Sequence, residues 1–451
     1  MEGLQMLKEL REDIREESVY KKVCVFGQGF VGLPLSLSFS LRGSSVIGVD
    51  VDENLVSEIN KGNTHHTEKF YGVGIKEILN MCIQDNSYKA TTNGEEAVRN
   101  SNNIIVTVGI PVKDGKYIMD YLENATITIG RNLKKDDLVI IRSTVIPGTT
   151  EEFILPILER ESNMKAGEDF YLAYASERIA EGVAFDEFAN MNTIVGAINE
   201  KSLERAIKVL SIVCKADVIP ASNIKAVETS KVFENVQRDV NIAMCQEFAR
   251  FTEGLGIDIG EVVKLANTHK RVKLLVPGPG VGGYCIPNAY NYISPKAEKL
   301  GISMEILKLS REKNAKLPEF FVDKTEEMLE TVGKELKGST VAVLGLAMKD
   351  YSNDDRISPP IDICNILISR GAKVKAFDPV VPTEYEYKVE KEEEALKNAD
   401  ALLILTRQHD MIMDDLSYFS KHMNSDSVII DTKGVIDMKD AEKNKLKIWK
   451  I

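Results

Sequence analysis

Residues 22–50 constrain this chain more tightly than any other stretch. A short valine-rich run, KKVCVF, passes directly into GQGFVG. The apolar segment LPLSLSFSLRG follows, ended by Gly43, and then SSVIGVD, which ends in Asp50. Strand, helix and strand at this spacing imply a parallel βαβ unit. Gly27, Gly29 and Gly32 fit the GxGxxG pattern, with Phe30 and Val31 inside it, and the acid stands at the end of the next strand. In that context the motif predicts dinucleotide binding. Gly27 permits a tight turn, Gly29 lets the backbone approach a pyrophosphate, and Gly32 lets the helix pack closely. The helix amino terminus faces the phosphate charge. Asp50 is expected to bond the adenosine ribose and repel a 2′-phosphate, so NAD is favoured over NADP.

The same frame returns near the other end. STVAVLGLAMKD echoes KKVCVFGQGFVG, and AKVKAFDP, with Asp378, echoes the strand that ends in Asp50. NADALLILT and SVIIDTKGV echo SNNIIVTV and LVIIRSTV in the same order. Further strands are expected around 103–108, 137–143 and 169–175. Between the two halves, NIKAVETSKVFENVQRDVNIAMCQEFARFTEGLG reads as one long amphipathic helix stopped near Gly254 and Gly256. The expected fold class is α/β: two doubly wound Rossmann-like domains joined by a central long-helix domain. The expected boundaries are a charged arm at 1–20, a dinucleotide domain at 21–200, a helical domain at 201–330 and a second α/β domain at 331–451.

Composition removes several classes of function. Lys plus Arg is 57 and Asp plus Glu is 69, a net charge of −12, which with no basic run argues against nucleic acid. No apolar stretch approaches a membrane span, and the charged start is no secretory signal, so the cytoplasm is the expected location. Six scattered cysteines and five dispersed histidines give no zinc spacing and no disulfide framework. His65, His66 and the acidic run at 381–398 read as solvated surface.

Cys285 stands apart from the other cysteines, in the Gly/Pro stretch GGYCIP. Such a loop can present a thiol to a cleft, beside backbone amides. A thiol next to NAD can trap an aldehyde as a thiohemiacetal, which is then oxidised to a thioester and hydrolysed. Lys231 and Asn235, four apart on the long helix, share one face. A lysine there can stabilise an alkoxide or deprotonate an alcohol; an exposed helix lysine is the plain alternative. Glu177 and Glu181 follow a strand end, a place for catalytic acids or for a solvated loop.

Taken together, VFGQGFVGLPL, IRSTVIPGTT, SERIAEG, ETSKVFENVQRDVNIA, HKRVKLLVPGPGVGGYCIP and GLAMKDYSNDDRISPPIDI resemble the UDP-glucose / UDP-N-acetylmannosamine 6-dehydrogenase family. The resemblance runs from about residue 21 to the end, and HKRV with PGPGVGG resembles the branch acting on UDP-N-acetylhexosamines. It implies a homodimer built on the long helix, NAD as cofactor and a UDP-sugar as substrate, with no metal. It also implies roles. Cys285 is the nucleophile, and Lys231 and Asn235 stabilise oxyanions. Thr144 and Glu181 position or activate water, with Glu177 in support, and Thr144 also borders the cofactor. Arg178, Arg238, Asn241, Arg271 and Gly282 meet the sugar side, Arg271 across the dimer. Lys349 and Arg356 meet the UDP moiety.

Several positions depart from the family pattern. Ala289 stands four residues after Cys285, where the family has an aspartate that assists the final water attack. Ile110 replaces a threonine before Pro111, Ser176 a proline, Tyr284 a histidine and Gln246 an asparagine. The reading is therefore an NAD-dependent four-electron oxidation of the sixth-carbon alcohol of a UDP-N-acetylhexosamine, UDP-N-acetylmannosamine favoured. The alternatives are a UDP-glucose 6-dehydrogenase and an impaired nucleotide-sugar-binding homologue.

Overall fold

The computed structural model describes residues 2–12, 18–113, 116–180, 182–444 and 446–451. It forms two compact units, Met1–Phe233 with Asn291–Lys299, and Glu234–Tyr290 with Leu300–Ile451.

In the first unit, helix α1 (Glu2–Glu12) precedes strand β1 (Lys22–Phe26), helix α2 (Gly32–Ser40) and strand β2 (Ser45–Val49). Strands β3 (Tyr88–Thr91), β4 (Asn103–Val106), β5 (Leu138–Ile141), β6 (Tyr171–Ala175), β7 (Thr193–Ala197) and β8 (Val218–Pro220) complete one sheet. Its order is β8-β7-β6-β5-β4-β1-β2-β3. The pairs from β3 to β6 are parallel, β6–β7 is antiparallel, and β7–β8 is parallel again. Strand order reverses around β1, which puts the glycine turn at the switch point where such sheets bind ligands. Central strands β4 and β5 are buried at every position, so they read as unbroken apolar runs.

Three strands carried no such signal. Edge strand β3 is YKAT and alternates buried and exposed. Edge strand β8 ends in a proline, a residue that sheets confine to edges. Strand β7, with β8, runs against the other six. The first sheet thus continues past residue 200, through helix Glu200–Val213 and β8. Helix α2 is buried along its whole length, and its Ser38 hydroxyl donates to the Pro34 carbonyl at 2.8 Å, which satisfies a polar group in an apolar layer.

The long helix α3 (Ile224–Leu255) continues from the first unit into the second, as expected, and stops just before Gly256. Helix α4 (Cys285–Lys299) begins at the cysteine of the Gly/Pro stretch. The second sheet comprises β9 (Thr340–Leu344), β10 (Lys373–Phe377), β11 (Ala401–Ile404), β12 (Val428–Asp431) and β13 (Lys447–Lys450), with helix α5 (Pro359–Ser369) after β9. All of its pairs are parallel, in the order β10-β9-β11-β12-β13. The α/β architecture is the one the sequence implied.

Several surface expectations are corrected. Within the arm, Leu7 is fully buried and joins the first unit's core; residues 13–17 lie outside the described residues. His66 and Glu392 are each 7% exposed, because each side chain turns inward from a polar stretch. Among the described residues, no helix is long and apolar enough to cross a membrane.

Candidate functional site

The glycine turn leaves β1 at Gly27, whose φ is +88° and whose amide donates to Val49 O at 2.8 Å. A Cβ on Gly32 would lie 1.7 Å from Gly27 O, whereas one on Gly29 would meet nothing within 4 Å. Gly32 is therefore a packing necessity and Gly29 an open approach to the backbone. No side chain caps α2 at Val31, which leaves that helix end to an anion. Asp50 is half-buried. One of its oxygens accepts the Gln28 amide at 2.7 Å and the other the Asp52 amide at 3.1 Å. A carboxylate has about four acceptor positions, so capacity remains for ribose hydroxyls. Phe30 is half-buried beside His65 and His66. These residues fit a bound dinucleotide.

The strand ends beside this turn carry the expected polar residues. Thr144 is half-buried after β5. Its loop is pinned by a residue the sequence did not single out, Glu228 on α3. This carboxylate is fully buried and accepts the Gly148 amide at 2.5 Å and the Thr150 amide at 2.9 Å. Burial pushes the Glu228 carboxyl above its ordinary range.

Glu177, after β6, takes three donors. It meets Arg142 Nη2 at 2.5 Å and accepts the amides of Arg178 and Ile179 at 2.7 and 3.0 Å. The structure makes it the clasp of its own turn. Arg178 is half-buried and donates to Asn192 O at 3.2 Å. Glu181 lies outside the described residues. Lys231 and Asn235, one turn apart on α3, are 8% and 5% exposed, well below what a solvated helix face would show. Ile110 is 3% exposed and its carbonyl accepts the Tyr292 hydroxyl at 3.0 Å.

In the second unit, Cys285 is the one exposed cysteine of six. It opens α4, where a helix amino terminus favours neighbouring negative charge. The preceding loop is held from two sides. Gly283 donates to Ile357 O at 3.0 Å, and Gly282 lies against Ile357 and Met348. On α3, Gln246 donates to Gly278 O at 2.6 Å. Asn241 donates to Lys273 O at 2.7 Å and accepts the Leu275 amide at 3.2 Å, so its amide is occupied in fixing this segment. Arg238 and Arg271 are exposed. Ala289 is 1% exposed, so the position where the family has an aspartate is an apolar, buried one.

A cavity of about 450 Å³ opens at the carboxyl ends of β9, β11 and β12. Pro277, Gly278, Lys349, Asp350, Arg407 and Lys433 are among its walls. Three cations face one carboxylate there, a surplus suited to a diphosphate. Lys433 Nζ sits 2.9 Å from Asp350 Oδ1, and Arg407 Nη2 donates to Lys433 O at 2.6 Å. A neighbouring cavity of about 640 Å³ shares Val276, Pro277, Arg407 and Lys433. Lys349, expected at the UDP moiety, is among these walls. Arg356 is not among the cavity walls; it makes a two-pronged bond to Asp354 at 2.8 and 2.7 Å. Arg407 and Lys433 were missed. Their signal was positional, since each lies just past an apolar strand, in LILTR and IIDTKG contexts, and strand ends build such sites.

Comparison with known proteins matches three successive segments to the UDP-glucose/GDP-mannose dehydrogenase family. Its NAD binding domain matches residues 21–213, its central domain 225–316 and its UDP binding domain 342–438. A UDP-N-acetyl-D-mannosamine dehydrogenase of Campylobacter jejuni is 34% identical over 412 residues, 87% of this chain and 97% of its own. The structure of a UDP-D-ManNAc dehydrogenase from Pyrococcus horikoshii matches with a TM-score of 0.84 at 31% identity, covering 92% of this chain and 96% of that one. A UDP-glucose dehydrogenase from Pyrobaculum islandicum also matches with a TM-score of 0.84, at 26% identity, covering 97% and 99%.

Proposed function

This chain belongs to the UDP-glucose/GDP-mannose dehydrogenase family, and from that premise we propose that it oxidises the sixth-carbon alcohol of a UDP-N-acetylhexosamine, UDP-N-acetylmannosamine first, to the carboxylate. As a member it is an NAD-dependent nucleotide-sugar dehydrogenase. The observation that carries the proposal is the exposed Cys285 on a fixed loop, in the same compact unit as the cationic cavity. An oxidation that stopped at the aldehyde would need no thiol.

The residues divide the work as follows. Lys349, Arg407 and Lys433 hold the diphosphate by charge-assisted bonds. Lys231 and Asn235 stabilise the alkoxide as the alcohol loses its proton. Loss of a hydride from the sixth carbon turns the alkoxide into an aldehyde, the Cys285 thiolate adds to it, and the oxygen takes up a proton to give a thiohemiacetal. Loss of a second hydride and of the hydroxyl proton leaves a thioester, which water cleaves to the carboxylate and the free thiol. NAD bound on the glycine turn supplies the hydride acceptor for each oxidation. Thr144 and Glu181 position the final water, with Glu177 fixing their surroundings. The chain works as a cytoplasmic homodimer built on α3, whose Phe233, Met244, Phe248, Phe251 and Leu255 remain exposed, an apolar face that a partner helix would cover.

One observation favours a second reading. Buried Ala289 offers no carboxylate to the water step, and loss of a general base typically costs about 10²–10⁴ in rate. On that reading the thioester accumulates. NADH counting on purified protein decides between them, with UDP-N-acetylmannosamine, UDP-N-acetylglucosamine, UDP-N-acetylgalactosamine and UDP-glucose in parallel. Sustained turnover with two NADH per sugar, for an N-acetylhexosamine, supports the proposal. A burst near one enzyme equivalent with an adduct on Cys285 supports the second reading, and preference for UDP-glucose overturns the choice of sugar.

A further inference from the structure

A buried acid–imidazole pair in the first unit lies outside the machinery described so far. After the helix Glu53–Asn60 the chain passes through His65 and His66 to Glu68. The side chains of His66 and Glu68 are each 1% exposed, with His66 Nδ1 3.5 Å from Glu68 Oε2. The His66 ring stacks on His65 at 4.5 Å between centroids, and both rings meet Phe30 of the glycine turn edge-on at 5.3 Å.

At its other end the pair reaches the loop that follows β6. Glu68 Oε1 accepts the Gly182 amide at 3.3 Å, and the Ala180 amide is taken by Glu187. The amides of residues 180 and 182, on either side of position 181 in the sequence, thus each donate to a carboxylate.

Burying a carboxylate is costly unless charge and hydrogen bonds offset it. Burial pushes the Glu68 carboxyl up, but His66 and the Gly182 amide outweigh it and hold the group below the ordinary carboxylate range. Packing alone needs no such pair, because apolar residues of similar volume often replace one at no loss of stability.

We propose that His66 and Glu68 are positioning residues, a strut that couples the dinucleotide turn, through Phe30, to the 176–182 loop, through Gly182. A ligand that fixes Phe30 also fixes the imidazole, the carboxylate and the loop amide behind it. The proposal deepens the functional reading and rests on it in taking that loop as part of the active site.

The test compares wild type, Glu68→Leu, Glu68→Gln and His66→Leu. Hydrogen exchange of residues 178–184 is followed with and without NAD, alongside NAD affinity by calorimetry and kcat and KM for the best UDP-sugar. In wild type, NAD slows exchange at 178–184. In Glu68→Leu, NAD affinity stays within about threefold, the protection is lost and kcat falls about 10- to 100-fold, the scale of a misplaced active-site group. Glu68→Gln keeps an acceptor for Gly182 and recovers most of both. If Glu68→Leu does not fold, His66→Leu carries the same test from the other end of the strut.

Protection that survives in the leucine variants overturns the proposal, as does protection that falls only in step with NAD affinity. Absence of NAD-induced protection in wild type overturns it too. Wild type that binds NAD with this coupling but oxidises no UDP-sugar sinks the functional reading and leaves the strut standing. Ordinary turnover without coupling does the reverse.

Discussion

The two glycine turns of this molecule start from one frame and end as different devices. Gly27 and Gly345 both take positive φ, +88° and +91°. Each donates its amide to the last residue of the neighbouring strand, Val49 O at 2.8 Å and Phe377 O at 2.9 Å. A threonine backs each turn: Thr107 bonds the Gly27 carbonyl and Thr406 the Ala347 carbonyl. The acids diverge. Asp50 is half-buried with one backbone donor on each oxygen. Asp378 is 2% exposed and accepts from Leu346, Ala347, Val380, Val381 and the Gln408 amide. The helix also moves. α2 begins at Gly32, directly after its turn, whereas α5 begins at Pro359, after a loop over 345–358.

This difference explains two modes of ligand handling. In the first turn, a bare helix end and an unsaturated carboxylate leave backbone and acid to meet a dinucleotide. In the second, the acid is saturated, so it can only hold the turn together. The α5 end does pack on this turn, Ser358 donating to Leu346 O at 2.7 Å, but that helix opens with Pro359 and Pro360, which bring no N–H, and the cations Lys349, Arg407 and Lys433 line the adjacent cavity instead. A strand–glycine–acid frame is therefore not by itself a dinucleotide site; spare acceptor capacity and a helix terminus that offers amide donors make it one.

The largest test of this contrast is Gly32→Ala. Its Cβ would collide with the Gly27 carbonyl, so NAD affinity should fall by about 3 kcal/mol, roughly two orders of magnitude. UDP binding in the second unit should not change. Calorimetry with each ligand separately reads both, and normal NAD binding would break the account of the turn. Next comes the pair of acids. Asp378→Asn should lower stability to urea by about 2–3 kcal/mol, since it leaves a buried donor facing donors. Asp50→Asn should cost less than about 1 kcal/mol of stability while narrowing the preference for NAD over NADP about tenfold. Equal destabilisation by the two would erase the distinction between site and clasp.

A smaller effect is expected at Lys433. Lys433→Ala should weaken UDP binding by about 1.5 kcal/mol, near tenfold, as for a lost bond to a charged group, with NAD affinity untouched. The last test separates the second unit by pH. Burial raises the Glu392 carboxyl from 4.5 to about 7, even though it accepts the Ile412 amide. A raised carboxyl favours the folded state while protonated. Its contribution is full below about pH 4.5 and is lost as pH rises through about 7, with at most about 3 kcal/mol involved. Wild type should thus lose melting temperature between about pH 5 and about pH 8, and Glu392→Gln should flatten that loss. An unchanged slope would count against it.

Much of the fold was legible because it follows periodicity. KVCVF, SVIGV, NIIV and LVII announce buried parallel strands, and the helix over 224–255 shows in its apolar spacing. Edge strands β3 and β8 escaped, since a half-exposed YKAT and a proline-ended VIP carry little of that signal. The glycine turn and Cys285 stood out by local chemistry. Glu228, Arg407 and Lys433 did not, because their meaning depends on the loops they face. Polar runs misled for the same reason: THHTE hides two buried side chains, His66 and Glu68, and EKEEE hides one, Glu392, among solvated neighbours.

By itself, then, the sequence determined the α/β class, the NAD turn with its acid, the long helix and the lone cysteine in a Gly/Pro loop. These are properties of residues close together in the chain, set by steric allowance, hydrophobic period and intrinsic reactivity. Only the tertiary structure decided that Asp50 keeps acceptor capacity while Asp378 has none, that Glu177 is spent on Arg142, and that Arg407 and Lys433 face one cavity. Each of these depends on which donors long-range packing brings to a carboxylate or phosphate site, and no spacing along the chain encodes that count.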